Sequence, residues 1–315
     1  MAKMLITGGV GFIGVNAARY FCERGWQVTV FDNFSRRGVE RNATFLRKNF
    51  GHRVQIVRGD VRSRRDLSRV IEGQEVILHL AAQAAVTTSI AEPWGDFKTN
   101  TQGTMRVLEA SRLSPQKPIV LYSSTNKVYG ALEDIPLIEE ELRYTLPEGC
   151  RGIGEDQQLD FHSPYGCSKG AADQYVRDYA RLYGLRTVVF RQSCIYGPHQ
   201  YGIEDQGWVA WFLIAALLCH PITIYGNGKQ VRDLLFIEDL LHAYDDAIAH
   251  IDQTKGKIYN IGGGMRNTLS LLELLSLMEQ EFALHTSPHF APARPGDQQI
   301  FVSDNGRLET DLGWQ

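Results

Sequence analysis

Tyr165 and Lys169, which lie four positions apart, combine residue types that can transfer a proton. On a helix this spacing places both side chains on one face, one turn apart. A phenol alone ionises near pH ~10, so it is a poor base at neutral pH, but a neighbouring ammonium favours the phenolate. An isolated pair of this kind would equally suit the surface of an amphipathic helix. With supporting motifs, it predicts a general base that takes a hydroxyl proton.

A glycine-rich turn near the N-terminus is the first supporting motif. Gly8, Gly11 and Gly14 follow the apolar run at 3–6 and open a helix-like segment. Glycines let the backbone approach a pyrophosphate, which then lies at the positive N-terminus of the helix. A second apolar run ends at Asp32, which is well placed to accept hydrogen bonds from an adenosine ribose. The spacing meets the standard G-x-G-x-x-G fingerprint only in part, but the strands and the acid complete a dinucleotide-binding pattern.

The charges after the second apolar run favour NAD over NADP as the cofactor. Asp32 would repel the 2′-phosphate of NADP, although Arg36 and Arg37 could accept it. A bound nicotinamide cation would further favour the phenolate of Tyr165. The base would then remove a hydroxyl proton while hydride leaves the same carbon.

The elements that position these residues follow from a regular alternation of apolar runs and helix-length segments. This alternation is typical of an α/β fold with a Rossmann-like, doubly wound parallel sheet and helices on both faces. Because the carboxyl ends of parallel strands meet at one edge, the segments that follow the runs should converge on one crevice. The runs lie at 3–6, 28–31, 54–57, 76–80, 119–122 and 187–190.

After about residue 192 the alternation stops. We expect residues 1–192 to form an NAD-binding domain and residues 193–315 a smaller C-terminal substrate-binding lobe that closes over the crevice. The segments near 222–226 and 257–261 are candidates to return to the large sheet. The chain ends at Gln315, where we expect either a truncated copy or a missing closing helix.

Composition and charge disfavour several classes of function. The 315 residues carry a net charge of −3 and show no basic stripe for nucleic acid. No uninterrupted apolar run approaches the length of a membrane span. The five cysteines are scattered and form no C-x-x-C pair, so reduced thiols in the cytoplasm are expected. No spacing typical of metal ligands occurs. We therefore expect a cytoplasmic protein that needs no metal and binds neither nucleic acid nor a membrane.

Motifs along essentially the whole chain resemble those of the extended short-chain dehydrogenase/reductases, nearest to the nucleotide-sugar epimerases and dehydratases. The resemblance implies an NAD-dependent enzyme with a nucleotide-sugar substrate. It also implies a homodimer in which two helices of each subunit form a four-helix bundle. The motifs are the glycine turn, Asp60, Asn100, the segment 123–129, Tyr165 with Lys169, and Arg232-Asp233.

The resemblance assigns expected roles to individual residues. Thr125 supplies a third catalytic hydroxyl, which bonds the reacting sugar oxygen and helps pass its proton to Tyr165. Arg232 and Arg294 hold the pyrophosphate by paired, charge-assisted hydrogen bonds. The expected catalytic residues are Thr125, Tyr165 and Lys169. The expected cofactor-binding residues are Gly8, Gly11, Phe12, Ile13, Asp32, Asn33, Asp60, Val61, Leu80, Ala81, Ala82, Gln83, Ser123, Tyr165, Lys169 and Ser193. The expected substrate-binding residues are Thr125, Asn126, Gln192, Gln206, Arg232 and Arg294.

The two residues after Thr125 separate two chemistries within this family. Sugar 4,6-dehydratases carry an Asp-Glu pair there, which serves as acid and base to eliminate water. This chain has Asn126 and Lys127, and neither can perform that elimination. Oxidation to a ketone and return of hydride remain, which means epimerisation or simple oxidoreduction.

Three stretches resemble the CDP-tyvelose (CDP-paratose) 2-epimerases more than the 4-epimerases: 124–130, 161–165 and 191–198. This resemblance implies inversion at C2 of a CDP-linked 3,6-dideoxyhexose for surface polysaccharide, with CDP-glucose as a related candidate. One alternative is a UDP-sugar 4-epimerase of the galactose or glucuronate type, which would share the same cofactor and proton-transfer motifs. Another is a non-catalytic NAD-sensing protein, which the intact catalytic set disfavours.

Overall fold

The computed structural model describes residues 1–294 and 296–315, which contain fifteen strands and twelve α-helices. The strands are β1 (Lys3–Thr7), β2 (Gln27–Asp32), β3 (Val54–Arg58), β4 (Val76–His79), β5 (Ile119–Thr125), β6 (Ile138–Glu139), β7 (Tyr144–Thr145), β8 (Thr187–Gln192), β9 (Cys194–Tyr196), β10 (Thr223–Tyr225), β11 (Val231–Phe236), β12 (Ile258–Ile261), β13 (Thr268–Ser270), β14 (His289–Ala291) and β15 (Ile300–Phe301). The helices are α1 (Phe12–Glu23), α2 (Val39–Phe50), α3 (Arg64–Ile71), α4 (Val86–Ala91), α5 (Pro93–Phe97), α6 (Gly103–Leu113), α7 (Ser163–Tyr183), α8 (Trp208–Leu217), α9 (Ile237–Ala249), α10 (Ile251–Thr254), α11 (Leu271–Phe282) and α12 (Gly306–Leu312). None of these helices is both long and apolar enough to cross a membrane.

The central sheet has seven parallel strands in the order β12-β8-β5-β4-β1-β2-β3. Helices α1, α2, α9 and α12 cover one face, and α3, α6 and α7 cover the other. Because both faces are covered, the inner strands are apolar throughout instead of alternating with polar residues. The predicted Rossmann-like, doubly wound sheet is therefore confirmed, and its strand ends meet at one edge.

The two segments that were candidates to return to the large sheet behave differently. Segment 257–261 supplies β12, which pairs in parallel with β8 at the sheet edge. The interpretation of segment 222–226 as part of the large sheet is wrong, because β10 pairs with β14 in a separate two-stranded sheet. A short apolar run carries no signal of which sheet it will join, and here the run packs between α8 and α11.

The chain after residue 192 is shared between the lobe and the large sheet. Helices α9 and α12 pack on the sheet core, whereas α8 and α11 form a separate apolar cluster with β10. A mixed sheet of β13, β11 and β15, with β9 paired to β11, joins the two parts. Helix α11 is fixed at its start by a reciprocal capping box between Ser270 and Glu273.

Candidate active site

Helix α7 carries Tyr165 and Lys169 on one buried face, as their spacing predicts. Pro164 occupies the first turn, where its missing N–H is not needed. The N–H of Tyr165 donates to Ser89 Oγ at 3.1 Å, which fixes the start of the helix against α4. Tyr165 is 9% exposed and Lys169 is 4% exposed, so both groups meet a low-dielectric environment.

The Lys169 ammonium is held beneath the end of β5. Its Nζ donates to the carbonyl oxygen of Ser123 and lies 4.3 Å from the ring centroid of Tyr122. Burial lowers the pKa of Lys169 to about 7, although the nearby carboxylates of Asp173 and Asp96 act to raise it. This lysine therefore titrates near neutral pH.

Burial dominates the environment of the Tyr165 phenol. It raises the pKa of Tyr165 to about 12, a hydrogen bond with Thr125 lowers this pKa, and Asp96 raises it. The Lys169 ammonium donates to the Ser123 carbonyl, and its lowering of the Tyr165 pKa stays a prediction. A nicotinamide cation bound beside the phenol would add stabilising charge for the phenolate.

Thr125 ends β5 and is 7% exposed. Its Oγ1 accepts the N–H of Lys127 at 3.3 Å and so caps the short 3₁₀ turn that follows. The same hydroxyl donates to Asn126 Oδ1 at 3.3 Å and lies close enough to the Tyr165 phenol to lower its pKa. Thr125 thus combines the capping role with contact to the phenol, which suits a hydroxyl that relays a proton.

The glycine turn forms a close-fitting cradle at the start of α1. Gly8 has a φ of +70°, and a Cβ there would lie 2.8 Å from the backbone nitrogen of Ala81. A Cβ on Gly14 would lie 2.4 Å from the Gly8 carbonyl oxygen. No side chain of the described residues caps this helix, so the N–H groups of its first turn, at Phe12 and Ile13, remain available to an anion. The turn therefore fits a cofactor pyrophosphate.

Asp32, at the end of β2, accepts N–H groups from Val10 at 3.3 Å and from Phe34 at 2.8 Å. Burial raises its pKa, and these backbone hydrogen bonds lower it in part. Arg36 also lies close enough to lower the pKa of this carboxyl. The acid is therefore fixed at the strand end, where the adenosine ribose is expected.

Asp60 follows β3 in the same crevice. Arg62 donates to both of its carboxylate oxygens, at 2.9 and 2.7 Å, and Asn33 Nδ2 donates at 3.1 Å. The hydrogen bonds from Arg62 lower the pKa of Asp60 to about 2. Val61, next in the chain, is buried. Sequence reasoning missed Arg62, whose only signal was its position two residues after the acid.

The loop after β4 is braced by a polar network. The N–H and carbonyl of Gln83 pair with the Asn100 side chain at 2.8 and 3.0 Å. Asn100 also donates to Ser168 Oγ at 3.0 Å and to Asp96 Oδ1 at 3.1 Å. Asp96 is 1% exposed, and sequence reasoning missed it. Leu80, Ala81 and Ala82 are half-buried in this loop.

The predicted substrate-binding residues fall into separate places. Asn126 Nδ2 donates to Gln298 Oε1 at 3.4 Å, and Arg232 donates to Asp297 at 2.9 Å, in one neighbourhood. Arg294 lies apart from this carboxylate: it pairs with Asp205 at 2.9 Å and stacks 3.9 Å from the ring centroid of Tyr225.

Three further predicted residues are engaged by protein groups. Gln192 is buried and donates to the Tyr244 hydroxyl, and Ser193 Oγ donates to the Asp233 carboxylate. Gln206 forms an isolated β-bridge in the turn before α8. Asp297, which sequence reasoning missed, is the residue that gathers the cations beside Asn126.

Comparisons with known proteins cover nearly the whole chain. The sequence profile of the NAD dependent epimerase/dehydratase family matches residues 4–262. CDP-paratose 2-epimerase from Salmonella typhi is 46% identical over 319 residues, covering 99% of this chain and 94% of that protein. The crystal structure of UDP-glucose 4-epimerase from Thermotoga maritima has a TM-score of 0.83 at 29% identity, covering 99% of this chain and 93% of its own. That of dTDP-glucose 4,6-dehydratase from Streptomyces venezuelae, with NAD bound, has a TM-score of 0.84 at 27% identity, covering 99% and 91%.

Proposed function

The chain belongs to the NAD dependent epimerase/dehydratase family, and from that premise we propose that it inverts C2 of a CDP-linked hexose. The substrate would be of the CDP-paratose or CDP-tyvelose type, with CDP-glucose as a related candidate. One observation carries the reaction type: Thr125, which contacts Tyr165, is followed in the chain by Asn126 and Lys127, which cannot eliminate water. The full-length similarity to the Salmonella typhi enzyme supports C2 and cytidine over the other options.

NAD is the cofactor, and when bound it would supply a hydride acceptor and donor at the sugar carbon. Tyr165, as the phenolate, takes the proton of the C2 hydroxyl, with Thr125 holding the same oxygen. Lys169, fixed on the Ser123 carbonyl, adds positive charge under the site whenever it is protonated. The keto sugar then rotates so that its opposite face is presented to the cofactor, and Tyr165 returns the proton to the oxygen.

Turning the sugar requires that the nucleotide be held while the sugar moves. Arg232, which is 9% exposed, would hold the diphosphate from the lobe sheet. Arg294 would contact the same group from the segment that follows β14. The glycine turn, Asp32 and Asp60 would hold the cofactor throughout, so that hydride is returned within one binding event.

The proposal also includes a cytoplasmic homodimer that supplies a sugar for surface polysaccharide. Helices α6 and α7 expose Leu113, Tyr175, Leu182 and Tyr183, which a partner subunit would cover. All five cysteines are free thiols, as expected in a reducing compartment.

Proton NMR of the purified protein with CDP-paratose, CDP-tyvelose, CDP-glucose, UDP-glucose and UDP-glucuronate tests the reaction. Inversion at C2 of a CDP-sugar is expected, and it should proceed without added NAD if the cofactor copurifies. Inversion at C4 of a UDP-sugar would keep the catalytic residues and overturn the substrate. No change with any sugar, after NAD is supplied, would contradict the proposed reaction.

A further inference from the structure

Lys127 is a partly buried cation that the proton-transfer chemistry does not use. It lies in the 3₁₀ turn directly after β5, where its N–H donates to the Oγ1 of Thr125 at 3.3 Å. Its side chain is 21% exposed, and Nζ donates to Asp297 Oδ1 at 3.1 Å. The ammonium is therefore tied to the lobe, two residues from the hydroxyl that meets the sugar.

Lys127 shares its only carboxylate partner among the described residues with a second cation. Arg232 donates to the same Oδ1 of Asp297 at 2.9 Å, and the N–H of Gln298 donates to it at 3.1 Å. Burial alone would raise the pKa of Asp297, but Arg232 and Lys127 bring it below its usual range. Two cations therefore face one carboxylate, which leaves one positive charge uncompensated.

Two neighbouring acidic groups, Cys194 and Asp233, form no ion pair with either cation. Burial raises the pKa of the Cys194 thiol, which keeps it neutral, and the Asp233 carboxyl is engaged by Ser193 and by the N–H groups of Gly264 and Ser303. Burial also lowers the pKa of Lys127, which shows that its charge is poorly solvated. A partly buried excess charge favours an anionic ligand.

We propose that Lys127 binds the sugar-linked phosphate of a nucleoside-diphosphate sugar. Its position between Thr125, which meets the sugar, and Arg232, which meets the diphosphate, selects that phosphate over the nucleoside-linked one. The inference rests on the proposed function for the nucleoside-diphosphate substrate and for the places of Thr125 and Arg232. With this phosphate fixed, the sugar turns about the bond that joins it to the phosphate while the nucleotide stays in place.

Calorimetric titration of the full-length protein with CDP and with CMP tests the proposal, because only CDP carries the second phosphate. The variant Lys127→Met should weaken CDP binding about tenfold or more and CMP binding less than about twofold. Lys127→Arg, which keeps the charge, should recover most of the CDP affinity. Lys255→Met is the matched control: this lysine pairs with the exposed Asp252 at 3.1 Å and should leave both affinities unchanged.

Unchanged CDP affinity in Lys127→Met, or an equal loss for CDP and CMP, would overturn the assignment. Failure of the proposed function gives a different result: wild-type protein that binds UDP but not CDP contradicts the cytidine substrate. In that case the affinities of wild type and Lys127→Met for UDP and UMP are compared instead, and a loss for UDP but not for UMP supports the role of Lys127. Wild-type protein that binds neither diphosphate would overturn both proposals.

Discussion

Two charges buried one turn apart on α7 have opposite surroundings. Asp173 is fully buried, and Arg191 donates to both of its oxygens, at 2.9 and 3.0 Å, while Ser124 adds a third bond at 2.7 Å. Lys169 is almost as buried, yet it contacts one carbonyl oxygen and the face of one aromatic ring. The helix therefore carries one charge that is paired and one that is not.

The difference separates a structural cluster from the proposed catalytic one. Burial alone would lower the pKa of Arg191, but Asp173 raises it above its usual value, so Arg191 stays charged. Arg191 also donates to the Tyr129 hydroxyl at 2.9 Å, which in turn donates to Asn260 at 2.7 Å in β12. The unpaired Lys169 instead has a pKa of about 7, which is typical of groups that serve chemistry.

The largest expected effect comes from removing the phenol hydroxyl. Tyr165→Phe takes away the base and keeps the ring, so kcat should fall about 10³-fold while NAD content and melting temperature stay unchanged. Turnover by NMR, NAD by absorbance and thermal unfolding measure the three quantities. Near-normal turnover would remove Tyr165 from the mechanism and end the distinction between the two clusters.

Breaking the structural pair should affect stability more than chemistry. Arg191→Met leaves the Asp173 carboxylate buried without its main partner, which typically costs about 3–5 kcal/mol of unfolding free energy. Denaturant unfolding measures the loss. Arg181→Met, on the exposed side of the same helix, is the control and should change stability by less than about 0.5 kcal/mol. Equal stabilities of the two variants would show that the buried pair is not structural.

Arg232 represents a third arrangement, because it shares the Asp297 carboxylate with Lys127. Arg232→Ala should raise KM roughly 10- to 100-fold, because a paired charge-assisted contact to the diphosphate is lost. Its kcat should fall less, since the residue does not meet the reacting carbon. Steady-state kinetics on the NMR-identified substrate gives both constants, and a lower kcat at unchanged KM would contradict the binding role.

The smallest expected effect is a gain in stability. Lys169→Met removes a buried ammonium and should raise unfolding free energy by roughly 1 kcal/mol at pH 6 while activity is lost. Since the folded pKa of about 7 lies below the unfolded value, the wild type is penalised below pH 7. The penalty disappears as pH rises towards about 10.5, so the variant's advantage should shrink over that window. Thermal unfolding from pH 6 to 10 measures the difference, and a constant difference would refute the buried-charge explanation.

The sequence predicts what is encoded locally. The apolar runs predict the parallel strands, and the spacing of Tyr165 and Lys169 predicts their shared helix face. The pairing of Lys127 with Asp297 joins residues far apart in the chain, so no local pattern signals it. The raised pKa of Tyr165 comes first from burial, which depends on how the whole chain packs around α7.

The pairing of β12 with β8 has a consequence for how the protein is made. Val189 pairs with Ile258, and the residues between them include α8, β10 and β11 of the lobe. During synthesis from the N-terminus, the apolar strand β8 therefore waits without this neighbour, and an unpaired strand edge is a template for association with other chains. β12, which covers this edge of β8 in the folded protein, is the last strand of this sheet to leave the ribosome. The nascent protein thus keeps this edge of β8 unpaired until residues 258–261 are translated.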